Sequence, residues 1–207
     1  MSEPRGNARE DILNTAERLF AENGIQNVSL REINAEAGYS AAALYYHFRS
    51  RDALLEALLL KRQEPVMALR ADLLQSLQEA RQPTVEALVE TLVMPFAQPI
   101  LSDPEAGLRS VKFFFRSYVE QSTNSQIRKT TERSLEIFDP LLEKALPGVD
   151  KTSRRSRWLL ATELTFQGLA NMEAIMTLSK QSGARKNRER YVRTLMQFIA
   201  GGLKYGD

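Results

Sequence analysis

Read at helical spacing, Ala41, Ala42, Tyr45 and Tyr46 share one helix face, and His47 follows them directly. Small side chains at a helix start let its backbone approach a surface closely, and tyrosine hydroxyls and an imidazole can donate to phosphate oxygens. That is the chemistry of a helix lying in a DNA groove. Covalent chemistry is a poor fit to the rest of the chain, which has no cysteine and one histidine. It also lacks the glycine loop that cradles a phosphate, so neither an enzyme, a metal site, a cofactor nor a disulfide framework is expected.

A groove-reading helix needs partners to hold it. Ser29 and Glu32 have the spacing of a capping box, so a helix is expected to start there. Gly38 stands where a left-handed residue ends that helix, and Ser40 can cap the next. Ile33 and Ala37 are four apart on the first helix, Leu44 and Phe48 four apart on the second, giving each an apolar stripe to press on the other. Upstream, Ile12, Ala16, Leu19 and Phe20 recur at helical spacing until Asn23-Gly24, supplying a third helix. Downstream, Ser50 caps a long helix whose apolar face is Leu54, Leu55, Leu58 and Leu59. A capped helix pair around a glycine also occurs in proteins that never meet DNA; the flanking helices are what favour the DNA-reading interpretation.

Ile12-Leu13, Ala16, Leu19-Phe20, Asn23-Gly24, Val28-Ser29, Ile33, Ala37-Gly38, Ser40, Leu44-Tyr45-Tyr46-His47-Phe48, Arg51 and Leu54 together resemble the N-terminal domain of the tetracycline-repressor (TetR) family of bacterial regulators. The resemblance covers roughly residues 8–58. It implies a three-helix DNA-binding head, a long connecting helix, and an all-helical body that dimerises and binds a small effector. By that resemblance Arg31 makes a base contact, its planar fork matching the two acceptors of guanine. Ser29, Tyr45, Tyr46, His47 and Arg51 would hold the DNA backbone, and Ser40, Ala41 and Ala42 would face base edges. The chain departs from the family pattern at Asn34, at Ala42-Ala43 and at Arg51, where alanine, glycine-threonine and lysine are usual. The alanines strip the reading helix of hydrogen-bonding groups and leave contact with a thymine methyl as their readout.

Charge is distributed unexpectedly for a DNA binder. Residues 1–62 hold eight lysines and arginines against nine aspartates and glutamates. A neutral sum still permits a basic face if Glu10, Asp11, Glu17 and Glu22 point away while Arg5, Arg9, Arg31, Arg49 and Arg51 gather toward DNA. The excess of positive charge lies later, in Lys151, Arg154, Arg155 and Arg157 and between Lys180 and Arg193, where solvated faces are the ordinary explanation.

At 207 residues and 43% hydrophobic, the chain exceeds a bare three-helix reader by more than a hundred residues. There is no signal peptide and no uninterrupted apolar run near the ~20 residues that span a bilayer, so a cytoplasmic protein without a membrane partner is expected. The fold class is expected to be all-α, divided into residues 1–50, the helix-turn-helix domain, and 51–207, a helical effector-binding and dimerisation domain. In the body a helix over about 51–80 is expected to kink or break at Pro65. Another, opened by Pro83, should fade near Pro95 and Pro99; a third runs from Pro104 to about Gln121; a fourth, from about Ser125 to Leu146, is interrupted at Pro140. Two last helices span about 151–180 and 184–204.

Those two are the dimer candidates. Trp158, Leu159, Leu160, Leu164, Phe166, Leu169, Met172, Ile175, Met176 and Leu178 make the first apolar over more than one face, and Leu195, Phe198, Ile199 and Leu203 give the second a matching stripe. Paired across a two-fold axis they form a four-helix bundle that would present two heads to a near-palindromic double-stranded operator. Aromatic residues including Phe96, Phe113, Trp158 and Phe166 concentrate in mid-body and suit the walls of a small-molecule pocket or an ordinary core. Glu163, Gln167 and Asn171 form one polar edge and Arg109, Lys112 and Arg116 another. Arg116, Glu163 and Gln167 are the candidates for orienting an effector, with solvent or the dimer interface as equal alternatives. The function expected is a repressor released from its operator by an unidentified small molecule. The alternative is a DNA-binding regulator, an activator or one under a protein partner, without such an effector.

Overall fold

Seven side chains among the described residues set helix starts. Asn7, Ser29, Ser40, Ser50, Thr84, Asp103 and Asp150 each accept a hydrogen bond from a first-turn N–H of the helix that follows, a cap worth about 1 kcal/mol. The computed structural model describes residues 7–120 and 125–205. Within them lie α1 (Ala8–Asn23), α2 (Leu30–Ala37), α3 (Ala41–His47), α4 (Arg51–Glu79), α5 (Val85–Ser102), α6 (Pro104–Glu120), α7 (Ser125–Ala145), α8 (Lys151–Ala170), α9 (Met172–Leu178) and α10 (Arg185–Lys204). No strand occurs among the described residues, and the fold is all-α. Arg5 and Gln121 lie outside the described residues.

Two apolar cores organise these helices. The first joins α1, α2 and α3 to the opening turns of α4 through Ile12, Phe20, Ile33, Leu44, Phe48, Leu54 and Leu58, and it includes Phe113 of α6. The second fills the body between α4, α5, α6, α7, α8 and α10. Gly38 ends α2 in the left-handed region, at φ 71°, where a side chain would be strained. That turn lets α3 fold back so that Leu44 and Phe48 join Ile33 in the first core.

The prolines break less than expected. α4 runs unbroken through Pro65, α5 through Pro95 and Pro99, and α7 through Pro140. An interior proline costs about 3 kcal/mol, and α5 offsets this by burying Leu88, Val89, Leu92, Val93, Phe96 and Ile100. Pro95 also leaves the Thr91 carbonyl without its donor four residues on; the Arg70 Nε of α4 approaches that oxygen at 3.4 Å. By length and composition α5 could cross a membrane, but it is the central core helix here. The expected helix over 151–180 divides at Asn171 into α8 and α9, and the Asn171 side chain donates to the Gln167 carbonyl at 3.0 Å.

Close packing explains two glycines. A Cβ on Gly107 would lie 2.4 Å from the backbone nitrogen of Ile100, so the sharp turn from α5 to α6 requires a bare residue there. A Cβ on Gly168 would meet Leu195 at 2.8 Å, and the Tyr191 hydroxyl donates to the Gly168 carbonyl at 2.8 Å. The basic residues of α8 serve the fold: Arg155 pairs with Asp139 at 2.5 Å, Arg154 with Glu143 at 3.3 Å, and Arg157 donates to the Leu203 carbonyl at 3.1 Å.

Candidate DNA interface and effector cavity

Ser40 fixes where α3 begins by accepting from the Ala43 N–H at 3.2 Å. With Leu44 and Phe48 directed into the core, helical geometry turns the opposite face outward. Ala41 and Ala42 are exposed, Tyr45 is 57% exposed and Tyr46 84%. His47 is half-buried and stacks edge-on against Tyr46, with ring centroids 5.1 Å apart. Arg31 is exposed on α2 and makes no hydrogen bond or ion pair with a described residue. These residues leave a face of small groups, hydroxyls and one guanidinium with no partner among the described residues.

Three expected contacts are already engaged. Ser29 donates its hydroxyl and its N–H to the Glu32 carboxylate, both at 2.7 Å, which closes the capping box. Those bonds hold the Glu32 carboxyl below its ordinary range. Ser40 is likewise a cap, but it only accepts, and its hydroxyl hydrogen has no acceptor among the described residues. Arg51 is engaged as well. Its Nε donates to the Val28 carbonyl at 3.0 Å and its Nη2 to the Ile25 carbonyl, while its guanidinium lies over the Phe20 ring at 5.7 Å. It clasps α4 to the loop after α1.

The near-neutral sum of charge in the head has a structural explanation. Buried Glu17 pairs with Arg62 at 2.5 Å, Glu10 pairs with Lys61, and Arg18 bridges Glu22 at 3.4 Å and Glu36 at 2.6 Å. The Tyr39 hydroxyl donates to Asp11 at 2.6 Å. Several of the acids are thus paired within the head, whereas Arg31 and Arg49 remain exposed.

In the body, a cavity of about 280 Å³ lies between α4, α5, α6, α7 and α8. Phe96, Phe114, Tyr118, Trp158 and Phe166 supply its aromatic wall, and Leu59, Val66, Met67 and Arg70 bring α4 to it. Phe96 packs edge-on against both Phe114 and Phe166, at 5.4 Å and 4.9 Å between centroids. Of the candidates for effector contact, Phe96, Trp158 and Phe166 line this space, and Phe113, Arg116, Glu163 and Gln167 do not. Phe113 points into the head core, stacked on Phe20. Arg116 pairs with Glu120 at 3.6 Å. Glu163 hydrogen-bonds the Tyr118 hydroxyl, and burial together with that negative charge raises the tyrosine pKa. Gln167 is exposed on the outer face of α8. Neither polar stripe expected from the sequence lines this cavity, and the polar groups that reach it from α4 are Gln63 and Arg70.

The outer face of α8, α9 and α10 is apolar and uncovered. Leu160, Leu164, Ile175 and Leu178 follow one line along α8 and α9, with exposures from 40% to 85%, and Phe198 at 69% and Tyr205 at 86% stand on and just after α10.

Two family descriptions match the chain: "Bacterial regulatory proteins, tetR family" over residues 12–58, and "Tetracyclin repressor-like, C-terminal domain" over residues 90–202, more than half its length. The chain is similar to the HTH-type transcriptional regulator UidR of Escherichia coli (strain K12), with 40% identity over 60 residues, 29% of this chain and 31% of that protein. It is also similar to the HTH-type transcriptional repressor KstR2 of Rhodococcus jostii (strain RHA1), with 31% identity over 83 residues, 40% of each. The match thus spans less than half the length of these relatives. Among solved structures, the ketosteroid transcriptional regulator KstR2 of Mycobacterium tuberculosis superposes with a TM-score of 0.68 at 16% identity, covering 98% of both chains. The transcriptional regulator FadR from Bacillus subtilis, in complex with stearoyl-CoA, gives a TM-score of 0.56 at 14% identity over 93% of this chain and 98% of its own. Both share the fold.

Proposed function

The chain belongs to the tetracycline-repressor family of transcriptional regulators, and from that premise we propose that it is a homodimeric repressor which a small molecule releases from a near-palindromic DNA operator. Residues 1–50 form the DNA-binding domain and 51–207 the effector and dimerisation domain, with the first turns of α4 shared between them. One observation carries this reading. α4 contributes Leu54, Leu55 and Leu58 to the core that holds the reading helix, and to the cavity wall it gives the adjacent Leu59 and then, two to three turns further on, Val66, Met67 and Arg70. A ligand that fits the cavity better in one setting of α4 shifts the heads in proportion to its differential affinity for the two settings.

Arg31, Ala41, Ala42, Tyr45, Tyr46 and His47 form the DNA surface, with Arg31 reading a base and the tyrosines gripping the backbone. The uncovered face of α8, α9 and α10 pairs with its two-fold mate, since a contiguous apolar patch of this kind on an isolated subunit is an association surface. The cavity favours a small effector over control by a protein partner alone. Selecting bound duplexes from random DNA, and then titrating candidate effectors into the complex, tests both halves. Sites without two-fold symmetry would count against the dimer, and an operator affinity that no cavity ligand alters would count against the gating.

A further inference from the structure

The cavity holds an electrostatic imbalance. Arg70 reaches it from α4, and its guanidinium sits over the Phe96 ring at 5.4 Å. Its single hydrogen bond to a described residue is the long 3.4 Å approach of Nε to the Thr91 carbonyl that Pro95 frees. No carboxylate among the described residues pairs with it. The side chain is half-buried, and desolvation pushes the group down to about 10, so it remains charged at neutral pH with part of its hydration removed. An uncompensated cation among aromatic rings is costly, and a fold retains one when something else neutralises it.

The rest of the wall points the same way. The described lining residues include two arginines, Arg70 and Arg133, and no aspartate or glutamate; the sequence from 121 to 131 has no acidic residue either. Glu163 is held by the Tyr118 hydroxyl and is not part of the lining. The Ser117 and Thr162 hydroxyls donate to carbonyls of their own helices, at 2.9 Å each, so they do not compete for an anion. Trp158 carries a buried indole N–H with no acceptor among the described residues. The wall therefore offers unmet donors and excess positive charge around an apolar, aromatic interior.

We propose that the effector is a hydrophobic carboxylate, its carboxyl group bound by the free Nη edge of Arg70 and its apolar body packed among Phe96, Phe114, Trp158 and Phe166. This deepens the reading above and rests on it for the regulatory consequence. The Nε contact to Thr91 orients the guanidinium plane, and the two terminal nitrogens then present the fork that accepts a carboxylate bidentately. Because α5 supplies Thr91 and α4 supplies Arg70, an anion here ties the charge on α4 to a fixed point on the core helix.

Trp158 is the chain's only tryptophan, which makes its emission a direct reporter of the cavity. Titrate the full-length protein with octanoate and 4-phenylbutanoate, each beside its neutral methyl ester, and repeat with Arg70→Met and Arg70→Lys. Each acid is expected to bind about tenfold or more tightly than its ester. Arg70→Met should bind acid and ester with about equal affinity, and Arg70→Lys should keep part of the preference. Esters binding as well as acids, acid affinity within about twofold of wild type in Arg70→Met, or no acid binding by about 1 mM would each overturn the proposal. The comparison of acid with ester in the wild-type protein holds whether or not the variants fold. Adding a selected operator duplex separates the two claims: acids that bind through Arg70 without releasing DNA leave the anion site standing and remove the gating, whereas esters that release DNA as well as acids do the reverse.

Discussion

Phe113 of α6 stacks on Phe20 of α1, with ring centroids 6.3 Å apart and planes at 22°, although its neighbour Phe114 lines the body cavity. Adjacent residues on one helix thus face the head core and the cavity. A second tie lies two turns further along α6, where the Glu120 carboxylate accepts the Gln26 N–H at 3.0 Å. Head and body are joined through α6 as well as α4. Phe113→Leu should keep effector affinity while blunting release of DNA, at a stability cost of about 1–2 kcal/mol. Ligand binding by Trp158 emission and DNA binding by anisotropy on the same samples check it, and full release by the variant would remove α6 from the coupling.

The DNA face divides into two kinds of contact. Arg31→Ala should relax sequence preference at one base position by about 1–3 kcal/mol. Tyr45→Phe and Tyr46→Phe should weaken binding on most sequences alike and leave the ranking of sites unchanged. Competition among single-base operator variants distinguishes the two, and a uniform loss in Arg31→Ala would place that arginine on phosphate.

Much of this face is legible in the sequence because its determinants are local. The Ser29–Glu32 box, the Gly38 turn and the Ser40 cap act within four residues, and the structure contains all of them. What depends on distant packing is not legible. Pro95 and Pro99 signal an end to α5, but burial of its flanks carries the helix through both. α8 is apolar over more than one face, so spacing alone cannot say that Phe166 looks into the cavity and Gln167 outward. The carbonyls that Arg51 clasps lie more than twenty residues away in sequence, so no local spacing announces them. Arg70 did leave a trace. Its neighbours one turn away are Val66, Met67, Leu73 and Leu74, an unusual setting for a cation with no acid on its face.

Dimerisation should fail when the outer stripe is charged. Phe198→Glu or Leu164→Glu is expected to yield folded monomers, since each side chain is exposed in the single subunit and fills no core of its own. Sedimentation measures the mass and circular dichroism the fold. A dimer that survives both substitutions would move the interface elsewhere.

Gly107→Ala should be destabilising by about 1–3 kcal/mol or more, because the new methyl meets the Ile100 backbone and backbone cannot swing aside. Gly201→Ala, whose Cβ would meet nothing in the subunit, is the control for helix propensity in a monomeric variant. Equal stability of Gly107→Ala and wild type in urea melts would contradict the close approach of α5 and α6.

Acid should loosen three ties. Glu32 is held below its ordinary pKa by the Ser29 N–H and hydroxyl, Glu86 by hydrogen bonding to Lys204, and Asp150 by its bonds to Ser153. A lowered folded-state pKa means that the contribution is complete above the unfolded value of about 4 and is lost as pH falls through the folded value. Melting temperature should fall below that pH in the wild type, and the fall should be shallower in Glu32→Gln, which starts without the charge. Identical acid profiles for the two would show that the capping box contributes nothing through its ionised form.

The most direct measurement is the sequence logo and stoichiometry of duplexes selected from random DNA by the full-length protein. Two inverted half-sites, two protomers per duplex, and loss of selection in a Tyr45→Ala, Tyr46→Ala double variant are the expected result. A protein that enriches no sequence, or whose double variant selects the same sites with the same affinity, would contradict the assignment of the exposed face of α3 to DNA.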